Sequence, residues 1–214
     1  DKNIKYIMKQ HYRKKIPQFA TELFACGKDA GDWMFTGHRY KILYNAINTS
    51  VYTYSFEKAV TIREKLHVEQ NLVIGHVGRF DAQKNHTFLL DIFSECVNIV
   101  PNARLLLVGD GEGRTQIQEK AKSLGLEEKV IFTGVRNDVA DLLQAMDVFV
   151  FPSLYEGVPV TMIEAQASGL PCVISDGVPK DCVITSGLVT SMKLSDRPCD
   201  WAKHIVAQLN RKRE

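Results

Sequence analysis

The chain has 214 residues, of which 45% are hydrophobic and 24% are charged, and its formal net charge is +2. This composition is typical of a globular protein with one substantial core and a small additional piece. The small net charge, the absence of a basic stripe among aromatic residues and the lack of any apolar run near 20 residues argue against nucleic-acid binding and a membrane span.

The cysteines and histidines indicate neither a disulfide framework nor a metal site. The five cysteines are odd in number and scattered, which favours a reducing cytoplasm. The six histidines form no H-x-x-x-H pair, and no D-x-D motif occurs, so no metal is expected. His86 precedes a predicted helix, and we interpret it as a surface residue, with a minor ligand contact as the alternative. The cysteines are Cys26, Cys96, Cys172, Cys182 and Cys199.

The first 50 residues predict short elements that do not make a complete core. Residues 1–16 carry basic and apolar side chains at helical spacing, which predicts an amphipathic helix with a solvated basic face. A helix lying on a membrane surface is the alternative. A strand at 23–26, a helix at 28–35 and a strand at 41–44 follow, as at the edge of a neighbouring domain. Residues 45–54 are predicted to be a linker.

From residue 55 onward, apolar strands alternate with helices. This alternation predicts an α/β fold, with a parallel sheet that is covered by helices on both faces. The carboxyl ends of the strands are then expected to carry the functional residues. The predicted helices are 56–67, 85–99, 113–124, 138–146 and one starting near Pro159; the predicted strands are 72–77, 104–108, 130–132, 147–151 and 172–175. After residue 175 a strand-like rhythm continues to 185, to which we assign no ligand role.

The segment 153–165 connects a buried strand to a helix and carries two glutamates. Pro152 ends the strand, and Pro159 suits the first helical turn because its missing N–H is not needed there. Glu156 then lies on the loop and Glu164 on the second helical turn, roughly 8 Å further along. Free amides at a helix start favour an anion. The segment therefore predicts a ligand that is anionic in its middle and carries hydroxyls at both ends.

The loop 78–85 follows the first strand of the alternating region and carries two cations. Arg79 offers a planar fork to a phosphate, and Lys84 offers a point charge beside a helix start. Together they could neutralise a diphosphate. Taken alone, two cations on a loop are more often ordinary surface charges. Their position opposite the Glu156 loop in the implied sheet favours the functional interpretation.

Two further loops also follow predicted strands. The glycines at 109–113 do not complete a G-x-G-x-x-G fingerprint because Arg114 stands at the last glycine position. We expect a tight turn there, with close backbone approach to a ligand. In the loop 132–138, backbone amides could hold a flat base beside Arg136, while Asp138 caps the next helix. A simple capped loop is the alternative.

With these residues in place, the chain resembles the donor-binding half of GT-B glycosyltransferases, specifically glycosyltransferase family 4, and is similar to its bacterial capsular and exopolysaccharide members. The resemblance covers roughly residues 70–177. The two glutamates with seven residues between them, in a strand-turn-helix setting, are a specific signature. The motifs that carry the resemblance are VGRFDAQKNH, LLVGDGEGR, VIFTGVRNDV and AMDVFVFPSLYEGVPVTMIEAQASGLPCVISD.

The resemblance implies a Rossmann-like carboxyl-terminal domain of a GT-B fold and a retaining transfer of a hexose. The donor would be a nucleotide-diphosphate sugar, and the resemblance favours UDP as its nucleotide. The acceptor would be a glycan or a polyprenyl-linked glycan. Neither a metal nor a cofactor would be required. In this chain Arg79 and Lys84 would bind the diphosphate, Glu156 the donor sugar and Glu164 the ribose. Arg136 would lie by the base, and the backbone of Gly78, Gly109, Gly157 and Val158 would complete the donor site.

The same resemblance implies that the acceptor site belongs to an amino-terminal domain. Residues 1–50 would be the end of that domain plus a linker, and residues 51–214 the donor-binding domain. We therefore expect the 214 residues to bind donor weakly and not to turn over. The resemblance allows a peripheral contact with the inner face of a membrane. The sequence does not determine the oligomeric state. Two alternative functions are a GT-B nucleotide-sugar epimerase and a non-catalytic nucleotide-sugar-binding module.

Overall fold

A computed structural model describes residues 2–208 and residue 213. The chain divides into two compact units, Asp1–Ala46 and Ile47–Glu214. Within the described part, none of the helices has the length and apolarity that a bilayer crossing requires. All five cysteines are free thiols.

The first unit contains the four short elements that the sequence predicts. These are α1 (Lys2–Phe19), β1 (Phe24–Ala25), α2 (Lys28–Met34) and β2 (Lys41–Ile42), and the two strands pair in parallel. The hydroxyl oxygen of Tyr40 lies 2.7 Å from Asp32 Oδ1 and 3.0 Å from the Lys28 carbonyl oxygen, either of which can accept its one hydrogen, and this contact fastens α2 to the chain that follows it. That this unit is the end of an acceptor domain stays a prediction.

The second unit is built on one parallel sheet. Within the described residues the sheet has six strands in the order β5-β4-β3-β6-β7-β8. They are β3 (Val73–Val77), β4 (Arg104–Val108), β5 (Val130–Gly134), β6 (Val148–Phe151), β7 (Cys172–Ser175) and β8 (Val189–Met192). The order runs outward in one direction from β3 and in the other from β6, so the predicted Rossmann-like topology is confirmed, with its reversal point between these two strands.

Helices cover the sheet and leave its central strands without exposed residues. Every residue of β3, β6 and β7 is buried, which explains their mainly apolar sequences; His76 in β3 and Ser175 in β7 are buried polar residues. Trp201 is fully buried and meets Phe88 edge to face, with ring centroids 5.7 Å apart. The helices of this unit are α3 (Phe56–Leu66), α4 (His86–Ile99), α5 (Arg114–Ser123), α6 (Val139–Ala145), α7 (Val160–Ala167) and α8 (Pro198–Ala207).

The predicted strand-like rhythm between residues 176 and 185 is wrong. This stretch contains a 3-10 turn, Lys180–Cys182, and no strand. The strand at this side of the sheet is β8, which the sequence did not predict. The Gln166 carboxamide accepts hydrogen bonds from the backbone N–H groups of Ile184 (2.8 Å) and Thr185 (3.0 Å), and donates to the Cys182 carbonyl (2.7 Å). A side chain on α7 therefore satisfies the backbone groups that a strand would have paired.

Candidate donor-binding site

Two loops meet at the carboxyl ends of β3 and β6, on either side of the reversal point. In a doubly wound sheet this crevice is the usual place for a ligand. Backbone and side-chain bonds join the loops: the Leu154 N–H donates to the Gln83 carbonyl (2.8 Å), and the Asn85 carboxamide donates to the Pro152 carbonyl (3.2 Å). Residues 78–85 and 152–159, which are called the cleft loops below, are thus held against each other.

A buried ion pair spans the cleft loops. The Lys84 ammonium lies 2.7 Å from Glu156 Oε1, and the exposed fractions of the two side chains are 16% and 6%. The other carboxylate oxygen of Glu156 accepts a hydrogen bond from the Gln83 carboxamide (3.0 Å), and the Lys84 ammonium lies 4.6 Å from the centroid of the Phe151 ring. Two of the predicted site residues, 72 positions apart in the chain, are therefore in direct contact.

Arg79 and Gly78 lie on the same loop. Arg79 is exposed, and within the described residues no hydrogen bond or ion pair engages its guanidinium. A Cβ on Gly78 would lie 2.8 Å from His76 Nε2 and 3.3 Å from the Lys84 stem, so a larger residue would displace the buried His76 ring and press on the lysine. The Asp81 carboxylate accepts from the Lys84 N–H (3.1 Å) and starts the 3-10 turn Ala82–Lys84 that presents the ammonium.

The glycine turn after β4 approaches protein backbone rather than open space. Gly109 has a φ of +135°, and a Cβ there would lie 2.1 Å from the Gly78 carbonyl oxygen. The Phe80 N–H donates to the Asp110 carbonyl (3.0 Å), and the Gly113 N–H donates to the Phe80 carbonyl (2.9 Å). The predicted tight turn is present, and the backbone that it approaches is that of the first cleft loop.

Glu164 lies on the second turn of α7, as the sequence predicts. Helix α7 begins at Val160, and Pro159 is the residue just before it rather than part of its first turn. The half-buried Glu164 carboxylate accepts a hydrogen bond from the Tyr52 hydroxyl at 2.7 Å. Burial and then this hydrogen bond raise the pKa of Tyr52 to about 12. Sequence reasoning missed Tyr52 because its segment has the composition of a linker.

Gly157 and Val158 connect Glu156 to α7. Gly157 is exposed, whereas Val158 is buried, with 8% of its surface accessible. The Glu156 N–H donates to the Gly177 carbonyl (3.1 Å), which joins this loop to the turn after β7. The backbone of the second cleft loop is therefore held on both sides, by Gln83 and by Gly177.

Arg136 and Asp138 occupy the loop after β5 and bind each other. Arg136 Nε donates to Asp138 Oδ1 at 2.7 Å, and the hydrogen bonding of this exposed pair raises the pKa of Arg136 and lowers that of Asp138. Asp138 occupies the N-cap position of α6, but its side chain makes no capping hydrogen bond. The prediction that its carboxylate caps the helix is therefore wrong, because the neighbouring arginine takes it.

The prediction that His86 lies on the surface is also wrong. Its exposed fraction is 3%, and its ring stacks on Phe80 with centroids 4.2 Å apart and contacts His76 edge-on at 4.7 Å. Burial, and secondarily the charge of Lys84, lower the pKa of His86 to about 4. Burial and then His86 lower the pKa of His76 well below its usual value, and its Nδ1 lies 2.8 Å from the Val150 carbonyl oxygen. The two neutral imidazoles pack beneath the first cleft loop.

The fold and the crevice define a doubly wound domain with charged loops at its reversal point. The Glycosyl transferases group 1 family matches residues 71–211, and this chain belongs to that family.

Two curated relatives carry glycosyltransferase names. EpsF of Bacillus subtilis (strain 168) is 38% identical over 200 residues, which is 91% of this chain and 52% of that protein. The Escherichia coli UDP-Gal:alpha-D-GlcNAc-diphosphoundecaprenol alpha-1,3-galactosyltransferase is 29% identical over 150 residues, or 68% of this chain and 39% of that protein. The chain thus spans about half, or less, of the length of these relatives.

Solved structures confirm the GT-B type of fold. Anabaena HepE in complex with UDP and glucose superposes with a TM-score of 0.83 at 23% identity, covering 94% of this chain and 57% of HepE. WaaG, a glycosyltransferase involved in lipopolysaccharide biosynthesis, superposes with a TM-score of 0.78 at 19% identity, covering 89% of this chain and 54% of WaaG. At these identities the likeness concerns the fold alone.

Proposed function

We propose that this chain is the donor-binding half of a retaining hexosyltransferase that uses a nucleotide-diphosphate sugar, with UDP as the nucleotide. The observation that carries the proposal is the contact between Lys84 and Glu156 across the reversal point of the sheet, with Glu164 on the helix that follows. These residues combine a cation for the diphosphate with carboxylates for hydroxyl groups. The name of the Escherichia coli relative and the UDP in the HepE structure support the choice of nucleotide.

The proposed roles follow from the charge that the reaction develops. When the bond between the anomeric carbon and the diphosphate oxygen breaks, the nucleoside diphosphate takes the electron pair and gains negative charge. Preplaced positive groups lower the barrier to such a step. Arg79, Lys84 and the first N–H groups of α7 would supply them, except that of Met162, which donates to the Pro159 carbonyl (3.1 Å). Glu164 would accept hydrogen bonds from the ribose hydroxyls, and Arg136 would lie beside the nucleotide base.

Donor binding would exchange the partner of Lys84. The Lys84 ammonium pairs with the carboxylate of Glu156, whose side chain is 6% exposed. A buried carboxylate that loses its cation needs new hydrogen bonds. The hydroxyls of the donor sugar would provide them, together with the Gln83 carboxamide that already binds Glu156. The diphosphate and the sugar would therefore bind together more tightly than either does alone.

The acceptor and the pathway are also proposals. We propose a glycan or a polyprenyl-linked glycan as acceptor, bound by a further domain, and a role in the biosynthesis of a capsular or exopolysaccharide in the cytoplasm. The name of the Escherichia coli relative, which includes a diphosphoundecaprenol acceptor, supports this acceptor class. The proposed reaction uses the nucleotide-diphosphate sugar as its donor substrate and requires neither a metal nor a cofactor.

Calorimetry on the 214-residue chain tests the proposed site. UDP, ADP, GDP and UDP-hexoses would be titrated into the parent, Lys84→Ala and Glu164→Ala, with Lys129→Ala and Glu128→Ala as matched controls on the turn before β5. We expect UDP and UDP-hexose to bind the parent and both controls alike. Loss of a charged hydrogen-bond partner should weaken binding by about tenfold or more in each site variant. Equal binding by the parent and both site variants would contradict the site.

Product analysis separates transfer from the two alternatives. With donor and acceptor, the protein that includes the acceptor domain should form a glycoside of unchanged anomeric configuration, as proton NMR of the product would show. With donor alone, an isomerised nucleotide sugar would instead indicate an epimerase. Donor binding without either product would indicate a binding module. The 214-residue chain by itself should give no transfer.

A further inference from the structure

The segment that precedes α3 is fastened to α6 by a buried glutamine. Gln144 is 2% exposed; its Oε1 accepts from the Ser55 N–H (3.0 Å), and its Nε2 donates to the Tyr52 carbonyl (3.2 Å). One side chain thus bonds the backbone at two points three residues apart. Because each of these bonds satisfies a group that would otherwise be unpaired, the segment has a defined position.

A second contact holds the same segment. The Arg213 guanidinium lies 4.2 Å from the centroid of the Tyr54 ring and donates to the carbonyls of Gln144 (3.0 Å) and Met146 (3.0 Å) at the end of α6. Tyr54 is therefore fixed on one side of the segment while Gln144 fixes the other. Tyr52, whose carbonyl Gln144 binds, directs its hydroxyl at α7.

The Tyr52 hydroxyl contacts Glu164, the carboxylate that we propose binds the ribose of the donor. It donates to Glu164 Oε1 at 2.7 Å, and both side chains are partly buried. A carboxylate has two oxygens with about four lone-pair sites, so a single phenol leaves room for two ribose hydroxyls. The bond also restricts the rotation of a side chain that would otherwise sample several rotamers.

We propose that Tyr52 positions Glu164 for the ribose of the donor and thereby sets the preference for ribonucleotides over deoxyribonucleotides. The proposal rests on the proposed function, because it takes Glu164 as the ribose ligand. Tyr52 acts through Glu164 and is a positioning residue. The phenol remains a donor throughout the neutral range, since burial and the carboxylate raise its pKa to about 12.

The discriminating experiment compares nucleotides with and without the ribose 2′-hydroxyl. UDP and 2′-deoxy-UDP would be titrated into the parent chain, Tyr52→Phe and the control Tyr54→Phe. Tyr54 lies on the same segment, and within the described residues its hydroxyl makes no hydrogen bond, so the control removes the same atom without touching Glu164. A site whose polar groups are arranged for a hydroxyl rejects the analogue that lacks it.

We expect Tyr52→Phe to bind UDP about fivefold more weakly and 2′-deoxy-UDP nearly as the parent does, so that the ratio of the two dissociation constants falls. Tyr54→Phe should keep the parental ratio. An unchanged ratio in Tyr52→Phe would overturn the proposal while leaving the proposed function standing. Tighter UDP binding by Tyr52→Phe would overturn it as well, because it would mean that the phenol occludes Glu164. A parent chain that binds no nucleotide would overturn the proposed function and this inference together.

Discussion

Two regions of this chain each pair an acidic with a basic side chain, and they differ in how far apart the two partners lie in the sequence. In the cleft loops, Lys84 binds Glu156 from 72 residues away, and both side chains are largely buried. In the loop after β5, Arg136 binds Asp138 two residues away, and both are substantially exposed. A long-range buried pair depends on the fold and is sensitive to the loss of one partner, whereas a local exposed pair contributes little.

Removal of the Lys84 charge should have the largest effect on stability. Lys84→Met leaves the Glu156 carboxylate buried without its cation, which costs about 3 to 5 kcal/mol in comparable cases. We expect the free energy of unfolding, measured in urea, to fall by that order. The double variant Lys84→Met with Glu156→Gln should recover most of the loss. A double variant as unstable as Lys84→Met would show that the lysine stabilises by packing and not through the carboxylate.

The sequence predicted that the loop of Lys84 lies opposite the loop of Glu156, but not that the two side chains bind each other. The strands β3, β4, β6 and β7 follow from mainly apolar runs, and the carboxyl ends of β3 and β6 identify the loops that carry Arg79, Lys84 and Glu156. The contact of Lys84 with Glu156 requires the strand order, which places β6 beside β3 and not beside β5. Periodicity does not encode that order. Arg136 and Asp138, by contrast, could have been paired from the sequence because they are two residues apart.

Other errors have the same origin in tertiary contacts. His86 has the sequence context of a helix start and is buried only because Phe80 and His76 surround it. The strand-like rhythm around Ile184 fails because the Gln166 carboxamide takes its backbone N–H. Tyr52 lies in a segment of linker composition and is placed by Gln144. In each case a distant side chain decides the outcome, and local propensity does not report it.

The buried histidines beneath the first cleft loop should make the free energy of unfolding decrease at acidic pH. The pKa of His86 is about 4 in the folded chain, against about 6.5 for an exposed histidine. The unfolded chain therefore binds the extra proton, so stability should be constant above about pH 6.5 and fall by about 3 kcal/mol from this group as the pH drops to 4. His86→Phe should remove this group's share of the fall in the urea midpoint and leave the share that His76 contributes, because the pKa of His76 is also lowered. The exposed control His204→Phe should leave the fall unchanged, and an equal slope in both variants would contradict the assignment.

A substitution in the glycine turn should displace the first cleft loop, because Gly109 packs against the backbone of Gly78. Gly109→Ala places a Cβ 2.1 Å from the Gly78 carbonyl oxygen at a φ of +135°, so we expect a loss of about 2 kcal/mol in stability and weaker UDP binding. Gly125→Ala is the matched control, since Gly125 also has a positive φ, of +68°, but nothing within 4 Å of the added atom. It should cost about 1 kcal/mol and leave UDP binding intact. Equal effects of the two variants on binding would contradict the coupling.

The exposed pair should give the smallest effect and complete the comparison. Arg136→Met removes a cation from a solvated pair, and we expect no change in the urea midpoint. If Arg136 lies by the base, the same variant should weaken UDP binding without changing the affinity for inorganic diphosphate. A loss of stability as large as that of Lys84→Met would remove the distinction between the two loops.

A crystal structure of the chain with UDP tests the central claim most directly. The account predicts the diphosphate between Arg79 and Lys84 at the carboxyl ends of β3 and β6, the ribose hydroxyls on Glu164, and Lys84 bonded to phosphate in place of Glu156. A nucleotide bound at another edge of the sheet, or bound with the pair between Lys84 and Glu156 intact, would contradict it.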